Sequence, residues 1–207
     1  MSTIKLYRYP LSGHSHRVEN FLSILGLDAE IITVDLVEGE HKTPEFLSKN
    51  IFGQVPMLED GPITISDSNA ILIYLASKYD SKRQWLPLGA EEAANVQRFL
   101  SIAAGEIAYG PAAARLVTVF GATLDHEAAI AGGHALFEIL EKHLQGRDWL
   151  AGDHATIADI ADYTYIAHAP EGNVSLTGYP NIRAWLNRVE ALPGFTAMQA
   201  TEIGLAA

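Results

Sequence analysis

Apolar and polar positions along the first eighty residues change period several times, and each change predicts an element. Ile4 to Tyr9 alternates as a short strand does. Val18, Phe21, Leu22 and Leu25 then fall at i, i+3, i+4 and i+7, which stripes one face of a helix, and Gly26 stands where such a helix ends. Ile31 to Leu36 reads as a second strand, so strand, helix and strand predict a right-handed parallel crossover. Thr43-Pro44 is a cap followed by proline at the first helical position, opening a short helix through Leu47. Two short apolar runs, Val55–Leu58 and Ile63–Ile65, flank Asp60-Gly61 and predict a hairpin. Pro56 inside the first run marks an edge or a special backbone conformation, a cis bond among them. Ser66-Asp67-Ser68 supplies caps for a helix whose core face carries Ile71, Leu75 and Tyr79.

The order β-α-β-α-β-β-α is that of a thioredoxin-like α/β domain, here residues 1–80. Periodicity lapses over DSKRQWLPLG, which reads as a linker at 81–89. Beyond it almost no alternation of period two survives, and an all-α domain follows over 90–207. Helices are predicted at about 91–118, 124–145, 156–169, 181–191 and 194–201. Gly110-Pro111 should kink the first of them. Thr156 with Asp159 three positions later reads as a cap whose acidic partner returns a hydrogen bond.

Composition narrows the function classes. The 207 residues are 48% hydrophobic and 19% charged, a globular balance. A net charge of −11 with no local Lys/Arg cluster argues against nucleic acid as a partner. No apolar run reaches the roughly 20 residues of a membrane span, and the opening MSTIKLYRYP lacks a signal peptide's apolar core, so a cytoplasmic protein is expected. The chain has no cysteine. Disulfides, zinc–thiolate sites and a protein thiol nucleophile are thereby excluded, and any sulfur chemistry must use a thiol carried by a ligand. The eight histidines show no metal-ligand spacing, and His14 and His16 sit two apart in a loop, so no metal is expected.

Residues 37–79, VEGEHKTPEFLSKNIFGQVPMLEDGPITISDSNAILIYLASKY, resemble the cytosolic glutathione S-transferase family, its phi-like and related bacterial members most closely. Ser12-Gly13-His14-Ser15-His16-Arg17-Val18 is similar to the serine-type active-site loop of that family, and Thr156-Ile157-Ala158-Asp159 to its helix-capping motif. The resemblance spans nearly the whole chain, strongly over 41–79 and diffusely between 90 and 150. It implies a glutathione-binding N-terminal domain and a helical domain that forms the pocket for an electrophile. It also implies glutathione as co-substrate, a homodimer and a role in detoxification. Phe52 resembles an aromatic that some members insert between subunits.

By resemblance Ser12 donates a hydrogen bond to the glutathione thiolate and is not itself the nucleophile. The physics permits this. A hydrogen bond to a charged acceptor contributes roughly 1.5–3 kcal/mol and a helix N-terminus roughly 0.3–1 kcal/mol, enough to lower a thiol pKa of about 8.5 by roughly 1–3 units. Read without the family, Ser12 is the cap of the following helix, and Ser15, one turn on, is the competing hydroxyl. Gln54, Val55 and Pro56 match the segment that binds the cysteinyl backbone of glutathione, where strand addition would suit an extended peptide. Asp67 and Ser68 match the γ-glutamyl contacts, with Asp67 in a position where the family often has Glu; both residues also suit simple capping. His41 and Lys42 match a pair at the glycyl end, and read without the family they are a solvated surface pair. Glu106, Tyr109 and Arg115, around Gly110-Pro111, are candidates for the border of the electrophile site.

Three functions follow. The first is glutathione transfer to an electrophilic carbon, with peroxide reduction as an accompanying activity. The second is glutathione-dependent cis-trans isomerisation of the zeta type, whose loop shares Ser12, His16, Arg17 and Val18 but not Gly13, His14 or Glu19. The third is a non-catalytic relative that keeps the fold as a binding module.

Overall fold

The computed structural model describes residues 4–205. These form two compact units, 4–83 with 192–199 and 84–191 with 200–205.

The first unit holds β1 (Ile4–Arg8), α1 (Gly13–Ile24), β2 (Ala29–Thr33), a 3-10 turn (Glu40–Lys42), α2 (Pro44–Lys49), β3 (Met57–Asp60), β4 (Ile63–Ser66) and α3 (Ser68–Tyr79). The sheet order is β2-β1-β3-β4. β1 pairs parallel with β2 (Leu6 opposite Ile31) and antiparallel with β3 (Leu6 opposite Leu58), and β3 turns into β4 with Asp60 opposite Ile63. The expected crossover and hairpin are therefore present. Alternation sends Ile4, Leu6 and Leu58 into a core shared with Val18, Phe21, Ile71, Leu72 and Leu75. On the other side Tyr7 and Val55 pack with Val34, Phe46 and Met57, which is how α2 is seated.

The second strand ends earlier than the predicted Leu36. Val34 N–H still donates to the Arg8 carbonyl, but the Asp35 carboxylate accepts from the N–H groups of Val37 and Glu38 and turns the chain. The predicted helix over 194–201 is absent. Gly194 has φ +81°, and a Cβ there would lie 2.7 Å from the Ser23 carbonyl oxygen. Thr196 N–H donates to Asn20 Oδ1, and its carbonyl accepts from His16 Nε2 at 2.7 Å. Both backbone groups of Thr196 are thus bound to α1 side chains, which leaves them unavailable for helical bonds.

The second unit is helical: α4 (Ala90–Ala104), a π turn (Ala108–Ala112), α5 (Ala113–Phe120), α6 (His126–His143), α7 (Ile157–Ala167), a 3-10 turn (Ala169–Gly172) and α8 (Pro180–Glu190). The helix expected over 91–118 is interrupted: α4 ends before Gly105, whose backbone (φ −105°, ψ −98°) is not helical, and Pro111, which has no N–H to give, lies in the π turn before α5. A Cβ on Gly110 would lie 3.0 Å from the Gly133 nitrogen, so the backbones of the π turn and α6 touch. α7 is buried along Ile157–Ile166, and its predicted capping box is present. The Asp159 carboxylate accepts from Thr156 N–H, Thr156 Oγ1, Leu150 N–H and Trp185 Nε1, which fastens α7 to the preceding loop and to α8. Among the described residues no helix is long and apolar enough to cross a membrane.

Candidate active site

The loop after β1 turns back when Ser12 N–H donates to the Tyr9 carbonyl at 3.0 Å. Ser12 is extended (φ −85°, ψ 115°) and caps α1, its Oγ accepting from Ser15 N–H at 3.2 Å. One lone pair is thereby engaged on the helix end while the hydroxyl keeps its proton to donate, and the first turn of α1 lies behind it. Ser12 is half-buried. Ser15 is 0% exposed, and its Oγ accepts from Tyr9 N–H at 3.2 Å. The two serines so occupy different environments, one half-buried at the helix end and one buried in the first turn of α1.

A second loop follows α2. Asn50 organises it: Nδ2 donates to the Gln54 carbonyl at 2.8 Å, Oδ1 accepts from Phe52 N–H, and the main-chain carbonyl accepts from Gly53 N–H. Lys42 Nζ donates to the carbonyls of Gly53 (2.8 Å) and Phe52 (3.3 Å), tying the 3-10 turn to the same loop. Gly53 is required here, since at φ +55° its Cβ would lie 2.7 Å from the His41 carbonyl oxygen. The Val55-Pro56 bond is cis. The β1–β3 ladder begins at Tyr7 and Met57, so Val55 lies just outside it. His41 is neutral-leaning: desolvation, then the Lys42 charge, lowers its pKa.

The third segment is the start of α3. Asp67 adopts φ +75°, ψ 124°, a conformation that disfavours side-chain-bearing residues, and caps the helix through Oδ1, which accepts from Ala70 N–H at 2.9 Å. Asp67 is exposed and Ser68 is buried. Behind them, Arg17 from α1 is 1% exposed. Its two Nη1 protons are shared among Ser68 Oγ (3.1 Å), Asn69 Oδ1 (3.3 Å) and His14 Nδ1 (3.1 Å). Burial and the Arg17 charge hold the His14 pKa down to about 3, so its ring is neutral at physiological pH.

The sequence placed His14 and Arg17 in the active-site loop without a chemical role for either, and gave Asn50 none. The signal for Arg17 was a cation directly beside the apolar stripe of Val18, Phe21 and Leu22. For Asn50 it was a side chain able to accept and donate at a helix end, followed by Gly53.

The first unit also holds a cavity of about 550 Å³ lined by Tyr9, Pro10, Leu11, Thr33, Asp35 and Gln199, next along the chain from Ser12. In the second unit Tyr109 is 79% exposed and Glu106 is exposed. Arg115 is 1% exposed, with Nε donating to Glu171 Oε2 at 2.5 Å, so its guanidinium serves the interior of that unit.

Residues 2–77 match the family model for the glutathione S-transferase N-terminal domain, and residues 125–193 match that for the C-terminal domain. Glutathione S-transferase 3 of Zea mays is 35% identical over 210 residues, covering 94% of this chain and 92% of the relative. The crystal structure of glutathione S-transferase from Pseudomonas fluorescens superposes with a TM-score of 0.89 at 31% identity, covering 95% of this chain and 99% of the other. A glutathione transferase homologue from Drosophila mojavensis, solved with bound glutathione, does so at 0.85 and 28% identity, over 93% and 90% of the two chains.

A thioredoxin-like unit followed by a helical unit is thus shared with enzymes of one kind. The chain belongs to the glutathione S-transferase family and is an enzyme of that family.

Proposed function

We propose that this enzyme is of the serine type: it binds glutathione, holds the bound thiol as thiolate with the Ser12 hydroxyl, and directs that sulfur at an electrophilic small molecule. The observation that carries the reading is Ser12 itself. Its oxygen accepts from the helix end at 3.2 Å, which polarises the O–H and leaves the proton for a sulfur anion. Ser15, fully buried and accepting from Tyr9 N–H, is the weaker candidate. With the nucleophile ionised and held close, the chemical step needs positioning more than acid–base help.

In this reading Val55, beside Pro56 and outside the ladder, pairs with the cysteinyl backbone, and Gln54 adds a contact. Asp67 and Ser68 take the γ-glutamyl ammonium and carboxylate at the start of α3. Lys42 and His41 serve the glycyl carboxylate, Lys42 partly by bracing the Gln54 loop. The cavity beside Leu11 in the first unit is a place for the electrophile, and Glu106 and Tyr109, exposed on the second unit, are the candidates there. Peroxide reduction uses the same thiolate. A homodimer, a cytoplasmic location and a part in detoxification go with this assignment.

The test is turnover of an activated aryl halide with glutathione, set beside turnover of a cis-enone diacid. Conjugation that falls by one to two orders of magnitude in Ser12→Ala, about 1.4–2.8 kcal/mol, is expected. Turnover of the diacid without aryl conjugation would instead assign a zeta-type isomerase. Retention on immobilised glutathione with no thiolate absorbance at pH 7 would assign a binding module.

A further inference from the structure

We propose that Arg17 and His14 are positioning residues for the γ-glutamyl end of glutathione, acting through the Ser68 hydroxyl. The inference rests on the glutathione reading above, with Ser68 as a γ-glutamyl contact.

The geometry assigns the hydrogen-bond directions. A guanidinium can only donate, so Ser68 Oγ and His14 Nδ1 both accept from Arg17 Nη1, at 3.1 Å each. Nδ1 is then unprotonated, and the neutral ring carries its proton on Nε2. The remaining contact in the triangle, 3.1 Å between His14 Nδ1 and Ser68 Oγ, leaves Ser68 as the donor, its proton sharing the single Nδ1 lone pair with Arg17 Nη1. The Ser68 proton therefore points at a neutral imidazole, an acceptor weaker than a carboxylate. A carboxylate arriving at the start of α3 takes that hydrogen bond over. Ser68 Oγ stays fixed by Arg17 as the hydroxyl turns, and the guanidinium polarises the O–H toward the incoming anion. Asn69 Oδ1 at 3.3 Å from the same Nη1 keeps the guanidinium against the first turn of α3.

The arrangement links α1, which begins at Ser12, to α3, which begins at Ser68. Arg17 and His14 lie on the helix that Ser12 caps. One helix thus sets the position of both the sulfur-side hydroxyl and the carboxylate-side hydroxyl.

The test compares two ligands by calorimetry on the full chain: S-hexylglutathione, and S-hexyl-cysteinylglycine, which lacks the γ-glutamyl group. Arg17→Ala is expected to weaken S-hexylglutathione about tenfold or more and the shorter peptide less than about twofold. On a Ser68→Ala background the same substitution should add less than about twofold, because its route is already gone. Since Arg17 is buried, the half-buried His14 supplies a second arm that does not depend on Arg17→Ala folding. His14→Leu should weaken S-hexylglutathione about threefold to fivefold, and His14→Asn, whose Oδ1 can accept in place of Nδ1, should restore it to within about twofold. Equal weakening of both peptides, or no difference between the leucine and asparagine variants, overturns the proposal while the wild-type protein still binds S-hexylglutathione. Failure of the wild-type protein to bind it overturns the glutathione reading itself.

Discussion

Ser12 Oγ lies 3.2 Å from the Ser15 backbone nitrogen and accepts its hydrogen bond, so the residue that begins α1 is also the residue whose proton remains to be given. Capping and thiolate stabilisation use different parts of one hydroxyl and do not compete. Ser12→Ala should therefore show two separable effects. Loss of the cap lowers stability by about 1 kcal/mol, and loss of the donor lowers kcat tenfold to a hundredfold with a smaller change in the KM for glutathione. Ser15→Ala should do the reverse, lowering the melting temperature more than the rate. Thermal melts with steady-state kinetics on both variants check this.

Asp67→Asn keeps the side-chain oxygen that accepts from Ala70 N–H and removes the negative charge. Stability should change by less than about 0.5 kcal/mol, while the KM for glutathione rises about threefold to tenfold. A change in melting temperature without a change in KM would mean that Asp67 is only a cap.

Glu171 gives a pH signature to the second unit. Desolvation raises its pKa, but hydrogen bonds from His168 Nδ1 and Thr201 N–H, with the Arg115 charge and bond, outweigh it and leave the pKa below the usual 4.5. A carboxylate whose folded pKa is depressed binds protons more weakly folded than unfolded. Its stabilisation is complete above pH 4.5 and is lost as pH falls through the folded value. Glu171→Gln should then lower the melting temperature at pH 7 and flatten its decline between about pH 5 and 3. Melting curves across that range test it, and an undiminished acid slope would assign the loss to other carboxylates.

Gly194→Ala places a Cβ 2.7 Å from the Ser23 carbonyl at a φ of +81°. The 192–199 segment must shift, and denaturant unfolding should show a loss of about 1–3 kcal/mol. Retained wild-type stability would mean that this segment is held by the Thr196 bonds to Asn20 and His16 alone.

Residues 4–79 were the most legible because their elements are short, strongly patterned and closed by local chemistry. Thr43-Pro44, Asp60-Gly61 and Asp67 each decide a boundary by a side chain within three residues of it. The same holds for Thr156 and Asp159. The failures came where distant groups decide. Residues 194–201 have helical spacing, yet the partners of Thr196 lie on α1, at Asn20 and His16. Arg115 reads as a cation near a kink, and nothing local reveals Glu171, fifty-six positions away, as its partner. His14, Arg17 and Asn50 were missed for the same reason, as their roles exist only once α1, α2 and the start of α3 are brought together.

The central claim is that this cysteine-free chain ionises a borrowed thiol with Ser12. Ultraviolet titration of the thiolate in the glutathione complex measures that directly. Bound glutathione should ionise roughly 1–3 pH units below the free tripeptide in the wild-type enzyme, and most of that difference should vanish in Ser12→Ala. A bound thiol that titrates like the free one, or a shift that Ser12→Ala leaves intact, would contradict the account.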